Sequence, residues 1–197
     1  MRIPYGLDRL PRDVTLRSVE VGDEPLRLNT EPVPAEVMPL LSGDHTARVT
    51  AALQWLQSQC GEYAPLRRQF IAAYFGLLAA EIEAHRAGLT ERLKPYDGLY
   101  APEDYLWSAL RPLPRGWVPA GERFLPADIV FWDGTQVIAI ELSARDTDKR
   151  KALLAAGIVV SGGEPNALAQ QLHHLWNAQA LPSSPFRRPS PSPPGAY

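Results

Sequence analysis

The chain is short of cysteine, lysine and long apolar runs, and each shortage excludes something. Cys60 is the single cysteine among 197 residues, so neither an intrachain disulfide nor a cysteine-based zinc centre is available. The four histidines (His45, His85, His173 and His174) show no metal-ligand spacing with acids. His173 and His174 are adjacent, point different ways on a helix, and read as one surface and one half-buried side chain. Lysine occurs only at Lys94, Lys149 and Lys151, so arginine carries most of the positive charge. The net charge is −2 with 21% charged residues, which excludes a broadly basic surface; any nucleic-acid contact must come from a local patch. No apolar run approaches the roughly 18–20 residues of a membrane span. The start, "MRIPYGLDRLPRD", lacks the apolar core of a signal peptide. A soluble, cytoplasmic protein with no membrane partner is the expectation. What is present is 45% apolar residues, enough for a true core.

Composition divides the chain into four stretches. Residues 1–43 form a proline-rich arm, in which "VTLRSVEVGDEPLRLN" is expected to make a short hairpin turning near Gly22-Asp23. Residues 44–97 read as helical. Asp44 or Ser42 can cap a first helix whose stripe is Val49, Leu53, Leu56 and Cys60. A second helix starts at Pro65, shows an apolar face of Leu66, Phe70, Tyr74, Leu78 and Ile82, and stops at Gly88. Residues 98–181 follow a different grammar. A short helix over "APEDYLWSALR" turns Leu106, Trp107 and Leu110 inward. A strand covers "GWVPAGERFLP", two more run Asp128–Trp132 and Gln136–Leu142, a helix covers "RDTDKRKALLAAG", a strand "IVVSGG", and a last helix follows. Residues 182–197 form a proline- and serine-rich tail, expected to be disordered.

The stretch "PADIVFWDGTQVIAIELS" carries Asp128 and Glu141 inside apolar strands. Asp133-Gly134 suits a two-residue type I′ turn. That register sets Asp128 opposite Ala139. It puts Asp128, Val130, Trp132, Val137, Ala139 and Glu141 on one face, with the acids diagonal and roughly 7–8 Å apart. Adding one loop residue on each side keeps the acids on one face, whereas a single bulge separates them. The other face, Ile129, Phe131, Ile138, Ile140 and Leu142, is expected to be core. Two like charges on a half-buried face need an offset. Two readings stand at this point. The acids sit at wet strand ends, solvated or paired with Arg123 and Arg145, or they hold a divalent cation such as Mg²⁺ together with a main-chain carbonyl. The cluster Arg145, Lys149, Arg150 and Lys151 likewise reads either as a solvated face paired with Asp146 and Asp148 or as a phosphate contact, extended by Arg111 and Arg115.

The order of these elements, the "PAD" ending at Asp128, and Glu141 after an apolar run resemble the PD-(D/E)XK nuclease superfamily. Within it, "EDYLWSALR" and "DKRKALLAAGIVV" look most like the very-short-patch-repair endonuclease-like group. The likeness covers about residues 100–161. It implies an α/β (α+β) fold, a restriction-endonuclease-like αβββαβ core behind a helical N-terminal region. It also implies metal-dependent hydrolysis of phosphodiester bonds with Mg²⁺ or Mn²⁺, on DNA more than RNA. Asp128 and Glu141 would be metal ligands with the Leu142 carbonyl, and Glu103 would support the metal or a water. The family's lysine, two positions past the second acid, is Ser143 here. Arg145, Lys149 and Arg150 are the candidates to replace it: Arg145 is nearest in sequence, and Lys149 carries the most compact cation. Arg145, Arg150, Lys151 and Arg111 would contact nucleic acid. The alternative is a nuclease fold without catalysis, a nucleic-acid- or protein-binding subunit of a larger complex. In either case residues 1–97 would supply a lid, a dimer face or a partner surface.

Overall fold

The computed structural model describes residues 1–9, 18–28, 45–62, 64–96, 99–142 and 147–173. The capping candidates Ser42 and Asp44, Ser143 to Asp146, and the tail lie outside them. The described residues form a mixed α/β fold around a four-stranded sheet in the order β3-β4-β5-β6: β3 (Leu113–Ala120), β4 (Arg123–Trp132), β5 (Val137–Glu141) and β6 (Val159–Gly162). The first three strands are antiparallel, and β6 returns parallel to β5 after helix α4 (Thr147–Ala155). Gly157, at φ +76°, ends α4 in a Schellman arrangement: Ile158 N–H bonds the Leu153 carbonyl and Gly157 N–H the Leu154 carbonyl.

Helices cover one sheet face. Helix α1 (His45–Ser58) leads to α2 (Pro65–Ala84), which buries Phe70, Ile71, Tyr74, Phe75, Leu78 and Ile82. These pack on Ile129, Phe131, Ile138, Ile140 and Leu142 of the sheet, the face expected to be dry. The Phe131 ring meets Tyr74 edge-on at 5.4 Å between centroids. Leu106 and Trp107 join this core from the Pro102–Ser108 segment, a 3₁₀ helix, Leu110 joins it just after that helix, and α5 (Pro165–His173) contributes Leu168, Ala169 and Leu172. Leu66 does not: it is exposed at the start of α2. The second helix was expected to stop at Gly88, but the chain breaks at His85 and resumes as α3 (Arg86–Leu93), straight through the glycine. A glycine in a helix costs about 1 kcal/mol. Continuing the helix buries Leu89 and Leu93, each worth about 1.5–3 kcal/mol, so packing outweighs propensity.

The opposite face is covered as well. β1 (Arg2–Pro4) pairs antiparallel with β2 (Ser18–Glu20), in place of the expected hairpin around Gly22. The pairing brings Ile3 against Val19 and Val21, and all three join Leu26, Leu113, Val118, Val130, Val137, Ala139, Leu153 and Ile158 in a second core. Burying these valines with Ile3 on the sheet gives them a partner that a local hairpin would not.

Two hairpin loops differ from expectation. "GWVPAGERFLP" is not one strand. Gly121, at φ +66°, and Glu122 turn it back on itself, so that Ala120 pairs with Arg123. Glycine at the first position of a two-residue loop supplies the positive φ of a type II′ turn. The next loop has four residues, since Trp132 pairs with Val137. Asp133 is not left-handed, as a type I′ turn requires. Its carboxylate caps the loop instead, accepting from the Thr135 and Gln136 N–H groups at 2.8 Å each. Gly134 takes φ +99° where a Cβ would meet Pro25 Cδ at 2.9 Å.

Candidate functional site

The longer loop moves the pairing two residues along β5, so that Trp132 meets Val137 instead of Thr135. One step past Ile129–Ile140, the register sets Asp128 directly opposite Glu141. The acids share a face as expected, but as direct neighbours rather than a diagonal pair, a Cβ separation of about 4.5–5.5 Å. The same row runs on to Gly162 of β6 on one side and to Arg115 of β3 on the other. Arg115 interrupts the β3–β4 ladder at φ +51°, the left-handed region, which costs a non-glycine residue about 1–2 kcal/mol. Its guanidinium offsets that cost by tying three segments together. Nε donates to the Gln59 carbonyl at 2.8 Å, Nη2 donates to the Gly6 carbonyl, and Nη1 meets Asp8 at 2.8 Å.

Each central acid has its own cation. Asp128 Oδ1 accepts from Arg67 Nε at 2.9 Å, and Oδ2 accepts from the Leu142 N–H at 2.9 Å. Arg67 lies in the first turn of α2 and also donates through Nη1 to the Cys60 carbonyl at 3.1 Å. Glu141, almost wholly buried, is ion-paired with Lys149 Nζ from the first turns of α4. Neither partner is one that the wet-strand-end reading offered. Arg123 is paired with Ala120 at the far end of the β3–β4 hairpin, and Arg145 lies outside the described residues.

These groups surround an open cavity of about 250 Å³, lined by Leu7, Asp8, Arg67, Arg115, Trp117, Pro126, Ala127, Asp128 and Lys149. Glu141 stands behind it, joined through Lys149. Three carboxylates, Asp8, Asp128 and Glu141, face three cations, Arg115, Arg67 and Lys149. Cys60, one bond from Arg67, is fully buried. Burial pushes its thiol up to about 11 in spite of the nearby guanidinium groups of Arg67, Arg68 and Arg115.

The remaining expected site residues are dispersed. Glu103 is held away from the cavity by Arg86, whose Nη2 lies 2.6 Å from its Oε1. Leu142 sits beside Asp128 through its N–H. Arg150 is exposed on α4 and lies against β6, where a Cβ on Gly162 would come within 3.0 Å of its Nη1; Lys151 is exposed. Arg111 is a correction. It is 1% exposed, its guanidinium stacked between Trp55 (4.7 Å) and Tyr5 (5.3 Å), with Nη2 donating to the Tyr5 hydroxyl. A side chain so enclosed holds the N-terminal strand to the core and offers nothing to a phosphate. Arg67, Asp8 and Trp117 entered the site without a local signal, because only the packing of α2 and of the N-terminal strand on the sheet brings them there.

The donor set can be tested against the divalent ion implied by the family resemblance. Among the described residues no group of three or more His, Cys, Asp or Glu converges. A caged transition-metal centre is therefore not formed by them. Mg²⁺ asks for less: oxygen ligands, one or two carboxylates, and retained waters. A carboxylate has about four lone-pair sites, more than the two hydrogen bonds that Asp128 accepts, and Glu141 sets a second carboxylate directly opposite. The pair thus fits a hard, hydrated cation. No protein-family model, no curated protein and no solved structure matches the chain.

Proposed function

We propose that the chain is a metal-dependent nuclease of the PD-(D/E)XK type that hydrolyses phosphodiester bonds, in DNA by preference. The observation that carries this reading is the ammonium of Lys149 on Glu141, with Asp128 directly opposite on the neighbouring strand. The position of the motif lysine is occupied by Ser143, and α4 delivers a lysine to the same acid from another element. The antiparallel β3-β4-β5 unit, followed by α4 and the parallel β6, supports a restriction-endonuclease-like core. In this reading Asp128, Glu141 and the Leu142 carbonyl hold Mg²⁺ or Mn²⁺, which when bound acidifies a water and stabilises charge on the phosphate. Lys149 sets a positive charge against the buried Glu141 carboxylate. Arg150 and Lys151, exposed on the same helix, guide the nucleic-acid backbone by charge. The test is cleavage of duplex DNA and of RNA by the purified chain with Mg²⁺ or Mn²⁺. Asp128→Ala and Glu141→Ala should each abolish it; cleavage surviving in both variants overturns the assignment.

One observation favours a second reading, a nuclease fold that binds nucleic acid or a protein partner without cutting. Arg67 occupies Asp128 where a metal would sit. On that reading the ion pairs are permanent, and no divalent cation binds at Asp128.

A further inference from the structure

Arg67 belongs to the helical half of the chain, yet it reaches the centre of the sheet. It spans from the carbonyl of Cys60, near the start of the α1–α2 connection, to Asp128 of β4. Its position is not that of a closed structural salt bridge. Arg67 keeps 27% of its side chain exposed and Asp128 15%, and both line the cavity. At about 250 Å³ the cavity has room for about eight waters at ~30 Å³ each, enough for a phosphate group together with a hydrated cation.

The charges make this arrangement informative. Three carboxylates balance three cations around the cavity. A divalent cation arriving alone at Asp128 brings two positive charges against the Arg67 guanidinium. A phosphodiester arriving alone meets the carboxylates. If both arrive together, the guanidinium can leave Asp128 for the phosphate, which it matches with paired N–H donors, and the carboxylate is released to the cation.

We propose that Arg67 is a substrate-binding residue, a guanidinium parked on Asp128 that transfers to a backbone phosphate and thereby couples divalent-cation binding to nucleic-acid binding. This rests on the nuclease reading above and deepens it, since it gives the helical region a direct part in the site. The coupling is reciprocal: each ligand tightens the other by the same factor.

The experiment is calorimetric titration of Mn²⁺ into the full chain, alone and with a phosphorothioate DNA duplex that resists cleavage. Wild type, Arg67→Met, Arg67→Lys and Arg68→Ala are compared, with circular dichroism to confirm folding. Arg68, exposed and bonded to the Gly61 carbonyl, controls for loss of one positive charge from the same turn. In Arg67→Met, Mn²⁺ alone should bind about tenfold tighter or more, because a like charge leaves the immediate neighbourhood of a divalent ion. The duplex should tighten Mn²⁺ binding in wild type and Arg67→Lys, and lose that effect in Arg67→Met. Arg68→Ala should match wild type. Unchanged or weaker Mn²⁺ binding in Arg67→Met overturns the role of Arg67, and leaves the nuclease reading standing if Asp128→Ala still removes the Mn²⁺ site. Absence of Mn²⁺ binding in every protein overturns both.

Discussion

Replacing Lys149 with Met removes the ammonium from Glu141 while keeping much of the apolar stem. Glu141 retains 6% of its side-chain exposure and Lys149 20%. Breaking a buried pair by removing one partner costs about 3–5 kcal/mol, because a charge is left in a medium that solvates it poorly. A fifth of Lys149 remains in water, so the expected loss is about 2–4 kcal/mol. Glu141→Gln removes the charge instead and should also destabilise, by leaving Lys149 without its counter-ion. The double variant Glu141→Gln/Lys149→Met carries neither charge and should lose less than the sum of the single variants, with a coupling of about 1–3 kcal/mol. Urea unfolding followed by tryptophan fluorescence measures all four proteins. The midpoint should fall at unchanged m-value, since the exposed area on unfolding is the same. A Lys149→Met protein within about 0.5 kcal/mol of wild type would refute the reasoning that α4 is pinned to the sheet by a buried charge pair.

Three further outcomes follow from the packing and the titrating groups. Gly116→Ala places a Cβ 2.4 Å from Val130 Cγ2 in the second core, and should cost about 1–3 kcal/mol by overpacking; an unaltered melting temperature contradicts the β3–β4 register. Cys60, buried with its thiol pushed up to about 11, should stay unmodified by a thiol reagent in native protein at pH 8 and react once urea unfolds it. Rapid labelling of the native state would be inconsistent with its place beneath Arg67. Burial alone would raise the Asp133 carboxyl, but the N–H donors of Thr135 and Gln136 and the two side chains together hold it below its ordinary value of 3.8. A depressed carboxyl stabilises the fold above the unfolded-state pKa and loses that contribution as pH falls through the folded-state one. The melting-temperature gap between wild type and Asp133→Asn should therefore narrow below about pH 4, and a gap constant from pH 7 to pH 3 argues against the cap.

Period-two alternation made the sheet's dry face legible in the sequence: Ile129, Phe131, Ile138, Ile140 and Leu142 pack as that pattern requires. The same-face placement of Asp128 and Glu141 follows from the same alternation and survives the longer loop, because a register shift of two residues along β5 preserves parity. The exact pairing did not follow, since Asp133 chose a side-chain cap over the left-handed turn its sequence also permits. Composition gave no sign that the Asp128 face would itself be roofed by β1, β2 and α4. The cations of the site were legible only where they were local. Lys149 lies in the helix that follows Glu141 and is a candidate through the family resemblance, whereas Arg67 is 61 residues from Asp128 and reaches it through tertiary packing alone. Arg111 illustrates the opposite failure: a charged residue beside an apolar helix reads as surface, yet Tyr5 and Trp55 enclose it.

The most direct test of the central claim is anomalous diffraction at the manganese edge from crystals of the chain grown with Mn²⁺ and a phosphorothioate duplex. A peak in contact with the carboxylates of both Asp128 and Glu141, with Lys149 still on Glu141 and Arg67 moved onto a phosphate, is the predicted result. Density with no manganese at those two acids, and with Arg67 still on Asp128 while duplex is bound, would contradict the account.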